Sequence, residues 1–399
     1  MGSALPIGLA WPEDDVIAPL FGVDKSFHVY VHIPFCEVRC GYCDFNTYTA
    51  KEIGSVSQQD FHNAIISEIE RSSKVLSGSG YPIRPISTLF FGGGTPSLFS
   101  ADQLASIVSA LKDQFDFEKN AEITLEANPE STTAQYLEEL SQVGINRLSM
   151  GVQSFDADVL KTLERVHRPE LVAPLVSAAK NVGLATSIDL IYGAPGESIE
   201  SWRHTLEAAV ELGTGHISAY SLIVEPGTKL ARQIKSGEVP ETDDDLDAEK
   251  HQLADNILSE AGLAWYEVSN WGEPSRHNQA YWRSFDWWGY GPGAHSHISG
   301  NRFWNLKHPL TYQQAVAAKT PVAGVEHIDV RTRLEEMLML ELRTKEGVST
   351  SVLEALHVSP HALEGFFAQE FLVIKNQRVS VTATGRLFVD RIVLDLLTN

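Results

Sequence analysis

All three cysteines of this 399-residue chain lie in one stretch, HIPFCEVRCGYCDFN (32–46), at Cys36, Cys40 and Cys43. Thiolates are ligands for soft metals, and a short loop can aim several sulfurs at one centre. A structural zinc site would need a fourth ligand, for which His28 or His32 stand close in sequence. Zinc ligands, however, usually come as two pairs from separate turns, whereas C-x3-C-x2-C packs three into one loop. A four-iron cluster is ordinarily held by four cysteines. With three, one iron keeps an open position for something that is not protein.

The loop must be placed by the elements around it. Short apolar runs alternate with helical stretches: FHVYVHI (27–33), ISTLFFGGG (86–94), EITLEAN (122–128), INRLSMGVQ (145–153), ATSIDLIYG (185–193) and HISAYSLIV (216–224). Between them apolar residues recur at helical spacing, as at Leu104, Ile107, Val108 and Leu111. This alternation implies an α/β fold with a parallel sheet buried on both sides. Periodicity leaves open a partial barrel, a full barrel or an open doubly wound sheet. In each, chemistry belongs at the C-terminal ends of the strands. Polar residues and glycines gather there: Cys36 after the first run, Gly92-Gly93-Gly94 after the second, then Glu126 and Asn128, Gln153, and Asp189.

After about residue 225 the pattern changes. EVPETDDDLDAEK (238–250) reads as a solvated turn entering a helix, and 265–297 is rich in aromatic residues and glycine. From about Val325 helices precede a hairpin, the order of a winged-helix module. The expected divisions are an N-terminal extension (1–26), a barrel core (27–230), a linker with an aromatic region packed on the barrel (231–324) and a winged-helix-like C-terminal domain (325–399). A formal charge of −21 argues against nucleic acid or an anionic membrane surface as partner. No apolar run is long enough to span a bilayer and no signal-peptide pattern opens the chain, so a cytoplasmic setting is expected.

C-x3-C-x2-C with Tyr42 just before the last cysteine resembles the signature of the radical S-adenosylmethionine (SAM) superfamily. The resemblance implies a partial TIM-type (β/α)6 barrel and a [4Fe–4S] cluster on Cys36, Cys40 and Cys43, whose open iron chelates SAM. GGGTP (92–96) is similar to the motif that meets the methionine amino group, which brings in Gly93, Gly94 and Thr95. Tyr30, Tyr42, Glu126, Gln153, Arg165 and Asp189 fall where the resemblance places SAM contacts. Arg165 suits a carboxylate through its planar fork.

VHIPFC, LSMGVQSF (148–155) and IDLIYGAPGES (188–198) look like the porphyrin-related branch of that superfamily, which contains oxygen-independent coproporphyrinogen III oxidases and haem chaperones. The oxidases carry another cysteine two residues after the third; here that position is Phe45, which counts against oxidase activity. HNQAYW (277–282) is similar to the H-N-x-x-Y-W motif associated with haem in the chaperones. His277 offers an imidazole to haem iron. Asn278 is expected to orient that ring, Tyr281 and Trp282 to pack on the macrocycle, and Arg276 to meet a propionate. A buried, hydrogen-bonded core histidine would give the same letters. GYGPGAHSHI (289–298) adds His295 and His297 as competing iron ligands. The expected function is haem binding and transfer to client haemoproteins, respiratory ones among them, with a homodimer as an open option. The alternatives are radical decarboxylation of coproporphyrinogen III and a zinc-stabilised interaction protein.

Overall fold

The computed structural model describes residues 5–49, 53–166 and 168–398. Its centre is a twelve-stranded sheet. Six strands follow the alternation of the sequence: β1 (Phe27–Ile33), β2 (Ile86–Gly93), β3 (Phe117–Ala127), β4 (Arg147–Gln153), β5 (Ala185–Tyr192) and β6 (His216–Ser221). They pair in parallel and in sequence order, each crossover carrying helix. Both ends of the row remain open to further strands, so the (β/α)6 unit is a partial barrel.

The segment 231–324 is more than a linker with a packed aromatic region, because it extends the sheet at both edges. β7 (Trp265–Glu267) and β8 (Asn270–Gly272) add antiparallel to β6. β9 (Trp287–Tyr290) runs parallel to β1 on the other side. β10 (His295–Ile298), β11 (Asn301–Asn305) and β12 (Val322–His327) follow it as an antiparallel meander. The N-terminal extension closes that edge, with Leu9 exchanging backbone hydrogen bonds with Val325.

Helices pack the outer face through alternate strand residues. Val29, Val31, Ile33, Leu89, Phe91, Leu125, Leu148, Met150, Ile188 and Leu190 are inaccessible and belong to one hydrophobic core with Ile65, Ile69, Leu104, Leu137 and Val176 of the crossover helices. The residues between them face inward and are largely polar. Register aligns them in rows: Thr124 with Arg147, Glu126 with Ser149 and Ser187, Gly151 with Asp189 and Ser218. C-terminal to β12, a helix (Val330–Glu341), β13 (Val348–Ser349), two helices (Thr350–Ala355, Pro360–Ala368), β14 (Leu372–Lys375) and β15 (Arg378–Val381) follow in winged-helix order.

Glu68 ties the β9–β11 extension to the helix His62–Gly78. Its carboxyl accepts from Tyr312 Oη (2.5 Å), Asn305 Nδ2 (2.7 Å) and Gly291 N (2.9 Å). Burial pushes its pKa from 4.5 up to about 7 despite those donors. The folded chain therefore holds a proton between pH 4.5 and 7 that an unfolded glutamate has released. Glu68 thus removes stability as pH rises through that window, by about 3 kcal/mol in all. Urea unfolding midpoints of wild type and Glu68→Gln from pH 4.5 to 8 should show the steeper decline in wild type; equal slopes would refute the assignment.

Candidate functional site

The inward residues enclose a cavity of about 750 Å³ running from the C-terminal ends of the strands toward their beginnings. Tyr30, Cys36, Cys40, Tyr42, Cys43, Gly93, Gly94, Thr95, Glu126, Gln153, Arg165 and Asp189 all line it, as do His277, Asn278 and Tyr281. Fifteen residues singled out from the letters thus share one space, although they come from eight segments of chain.

The cysteine loop is placed by backbone. Beyond the end of the β1–β2 ladder, Gly94 N donates to Ile33 O (2.8 Å) and Thr95 N to Phe35 O (2.8 Å). The Thr95 hydroxyl lies 3.6 Å from Cys36 Sγ. These glycines are dictated by protein neighbours: a Cβ on Gly94 would sit 2.5 Å from Phe35 O, and one on Gly93 2.6 Å from the His32 ring. Gly93 also has φ +117°, which a side chain resists. On the far side, Leu230 N donates to Gly41 O (2.9 Å), and Tyr42 packs on Val159, Leu163, Ala194 and Leu222. Phe45 lines the rim, 66% exposed.

All three cysteines are free thiols. Burial raises Cys36 and pushes Cys43 up to about 11, so their ionisation calls for a nearby positive charge. The described His, Cys, Asp and Glu side chains do not converge in threes on a point that could hold a single metal ion. A zinc knot is therefore not preformed. His32 bonds Tyr30 Oη and Asn46 O (2.9 Å each), and His28 lies at the opposite end of β1 against Thr88 (2.8 Å).

Arg165 Nη1 reaches Cys40 Sγ (3.6 Å) while Nη2 donates to Asn128 Oδ1 (2.9 Å) and Gly151 O (3.1 Å), with Glu130 at 3.5 Å. Asp189 accepts from Ser149 (2.7 Å) and Ser218 (2.8 Å), and burial raises its pKa. Burial, then the charge of Asp189, pushes Glu126 up to about 8 against the opposing Gly93 N–H. Glu126 is therefore largely protonated at neutral pH. Two buried atoms on this wall, Gln153 Oε1 and Arg165 Nε, have no hydrogen-bond partner. Buried polar groups are rarely left so, and here they mark the wall of a ligand site. Gln153 also holds φ +60°, a strained conformation for a side-chain-bearing residue. The donor set suits a polar, zwitterionic molecule beside a thiolate-held group.

The HNQAYW segment forms a short helix, Arg276–Trp282, that closes the cavity near the N-terminal ends of the strands. Glu122 on β3 holds it by accepting from Arg276 N and His277 N (3.0 Å each). His277 is 2% exposed and occupied at both ring nitrogens, Nδ1 by Thr88 Oγ1 (2.7 Å) and Nε2 by Tyr281 Oη (2.9 Å). Burial, His28 and Arg147 hold its pKa well below the usual value, so the ring is neutral.

Several expected positions differ. Thr88 and Tyr281 orient His277, whereas Asn278 turns to Tyr266 and Glu267. Trp282 sits on a separate, smaller cavity with Trp265 and Arg283, because it lies one turn beyond Asn278 on the flank of the helix turned away from His277 and Tyr281. Arg276 points outward to Asn120 O (2.6 Å) and Glu118 (3.5 Å). His295 is exposed and stacked on Trp304, and His297 packs on Trp287; neither lines the main cavity. Arg147, His216, Tyr266 and Asn270 do, and were not singled out. For Arg147 the signal is the alternation Arg147, Ser149, Gly151, Gln153 along β4.

A cavity at the mouth of a partial (β/α)6 barrel, walled by a three-cysteine loop, defines the chain as a radical SAM protein, and residues 30–209 match the Radical SAM superfamily. That superfamily implies a [4Fe–4S] cluster and SAM, and the thiols and unpartnered polar atoms fit both. Residues 328–388 match the HemN C-terminal domain. Heme chaperone HemW of Mycobacterium tuberculosis is 41% identical over 96% of this chain and 97% of its own length. The Bacillus subtilis heme chaperone HemW is 34% identical over 80% and 84%. The chain belongs to the HemW family. The structure of Escherichia coli coproporphyrinogen III oxidase (HemN) superposes with a TM-score of 0.80, covering 94% of this chain and 91% of its own, at 24% identity; this establishes the shared fold.

Gly94→Ala places a Cβ against the immovable Phe35 carbonyl and should destabilise the protein by about 1–3 kcal/mol. Gly22→Ala, with nothing within 4 Å of the new Cβ, should be close to neutral. Urea denaturation of the pair checks this; equal midpoints would show that the glycine contact does not position the loop.

Proposed function

We propose that this protein is a haem chaperone, acting in the cytoplasm, that binds haem and passes it to client haemoproteins. The full-length relationship to heme chaperones carries this reading, and the single cavity joining the cysteine loop to the HNQAYW helix supports it. Cys36, Cys40 and Cys43 would hold a [4Fe–4S] cluster. When bound, that cluster supplies an electron donor and an open iron as the seat for SAM.

The chain's own groups do the rest. The Gly93–Thr95 loop and Tyr30 wall the site around the methionine end, and Arg165 supplies a cation beside Cys40 Sγ. Gln153 offers an unpartnered acceptor, and Asp189, steadied by two serines, would accept from the ribose hydroxyls. Largely protonated, Glu126 can donate as well as accept. At the other end, His277 is neutral, as iron ligation demands. For Nε2 to reach haem iron, the Tyr281 hydroxyl must swing away, which leaves it free to pair with the ligand. Phe45 puts an exposed apolar ring at the rim where the oxidases carry a thiol. That favours holding an apolar macrocycle over decarboxylating it.

Anaerobically reconstituted wild type should contain iron, sulfide and about one bound haem. Cys40→Ala should lose iron and sulfide. His277→Ala should weaken haem binding at least tenfold by optical titration, with iron and sulfide unchanged. No stoichiometric haem uptake by wild type would end the chaperone reading. Formation of protoporphyrinogen under reducing conditions with SAM would restore the oxidase.

A further inference from the structure

The cavity has a lower compartment beneath the level of the cysteine loop, with a charged group of its own. Along β4, Arg147 and Gln153 both face inward from opposite ends of the strand, about 20 Å apart at the rise of a parallel strand. Gln153 belongs to the upper wall beside the thiols. Arg147 shares the lower wall with His216, Tyr266, Asn270, His277 and Tyr281.

Arg147 is 8% exposed. Among the described residues its guanidinium forms no ion pair. Its one hydrogen-bond contact is Nη2 to His216 Nδ1 at 3.3 Å, and that nitrogen lies closer, at 2.9 Å, to Glu273 O. Burying a guanidinium costs several kcal/mol unless an anion compensates it. The carboxyls of Glu126 and Asp189 feel its charge across the cavity, but neither forms an ion pair with it. Asp189 takes a serine hydroxyl on each oxygen, and Glu126 accepts from Gly93 N. The rest of the fork, unpaired with any carboxylate, thus faces a space bordered mainly by aromatic rings and neutral imidazoles. That is the arrangement that recognises a carboxylate on a largely apolar molecule.

We propose that Arg147 anchors a carboxylate of the ligand that fills this lower compartment. Under the haem reading, on which this rests, the carboxylate is a propionate of the tetrapyrrole. Arg276, the cation beside the HNQAYW motif in sequence, is turned to Glu118 outside the cavity and leaves this role open. SAM also carries a carboxylate, but the cation expected to pair with it, Arg165, stands beside Cys40 Sγ.

The test compares haem with haem dimethyl ester, whose propionates carry no charge, on reconstituted full-length protein. Wild type should bind haem at least tenfold tighter than the ester. Arg147→Gln should bring that ratio near one while leaving SAM affinity and iron content unchanged. Arg147→Lys, which keeps the charge and loses the fork, should fall between. A purely structural role would weaken both probes alike and leave the ratio intact. If wild type binds haem without preferring it to the ester, or Arg147→Gln keeps the wild-type ratio, Arg147 is not the anchor although haem binding stands. Should Arg147→Gln not accumulate, an unchanged ratio in Arg147→Lys overturns the proposal equally. Loss of SAM affinity together with the ratio would assign Arg147 to the nucleoside ligand and refute it. Wild type binding neither probe would instead refute the haem reading.

Discussion

The pleat of six parallel strands is the constraint from which the site follows. Successive side chains must point to opposite faces, so a sheet covered outside by helices delivers every second residue into its concave interior. The outer set is apolar and inaccessible: Leu148, Met150 and Val152 on β4. The inner set on that strand is Arg147, Ser149, Gly151 and Gln153. Polar groups so enclosed need partners, and most find them across the register, as Ser149, Ser187, Asp189 and Ser218 do. Two that do not, Gln153 Oε1 and Arg165 Nε, trace the outline of what the cavity accommodates.

The cysteine loop depends on the same strands. Two backbone hydrogen bonds carry the β1–β2 pairing past Gly93, and a third from Leu230 fastens Gly41. Glycine at 93 and 94 is what allows the second loop to lie against His32 and Phe35. The glycine run therefore acts first as a close backbone contact that sets where Cys36 stands. A Cβ at either position would displace the thiol loop before it met any ligand.

Much of this was legible. The first strand was bounded to the residue because its apolar run ends at a proline, and the cysteine spacing and GGGTP are local patterns that need no tertiary information. β3 starts at Phe117, five residues earlier than its apolar run, because Phe117 pairs with Ile86 of β2 ahead of a register shift, after which Glu122 meets Thr88. β7 to β12 were not legible, since strands of three to six residues rich in tryptophan and histidine are stabilised by the edge they join. Of the polar face only the strand ends were legible; Arg147, at the start of β4, was not, because a parallel strand is expected to be apolar on both sides. Glu122 escaped for a related reason: its partners are backbone amides some 150 positions downstream. The neighbours of His277 likewise came from another strand. Adjacency in HNQAYW favoured Asn278, whereas the ring is steadied by Thr88, far away in sequence, and by Tyr281 one helical turn on.

Charge inside the barrel differs in kind from charge on the chain as a whole. The formal −21 repels polyanions, which approach from outside and feel the summed field. A small ligand within the cavity meets Arg147 and Arg165 set against Asp189 and Glu130, with Glu126 largely protonated and His216 and His277 neutral, their pKa values lowered by burial. Away from the rim, two cations thus stand at separate levels: Arg165 beside Cys40 and Arg147 below. A strongly acidic composition is compatible with carboxylate-bearing small molecules as ligands. The two guanidinium levels give such molecules two distinct places along one continuous wall.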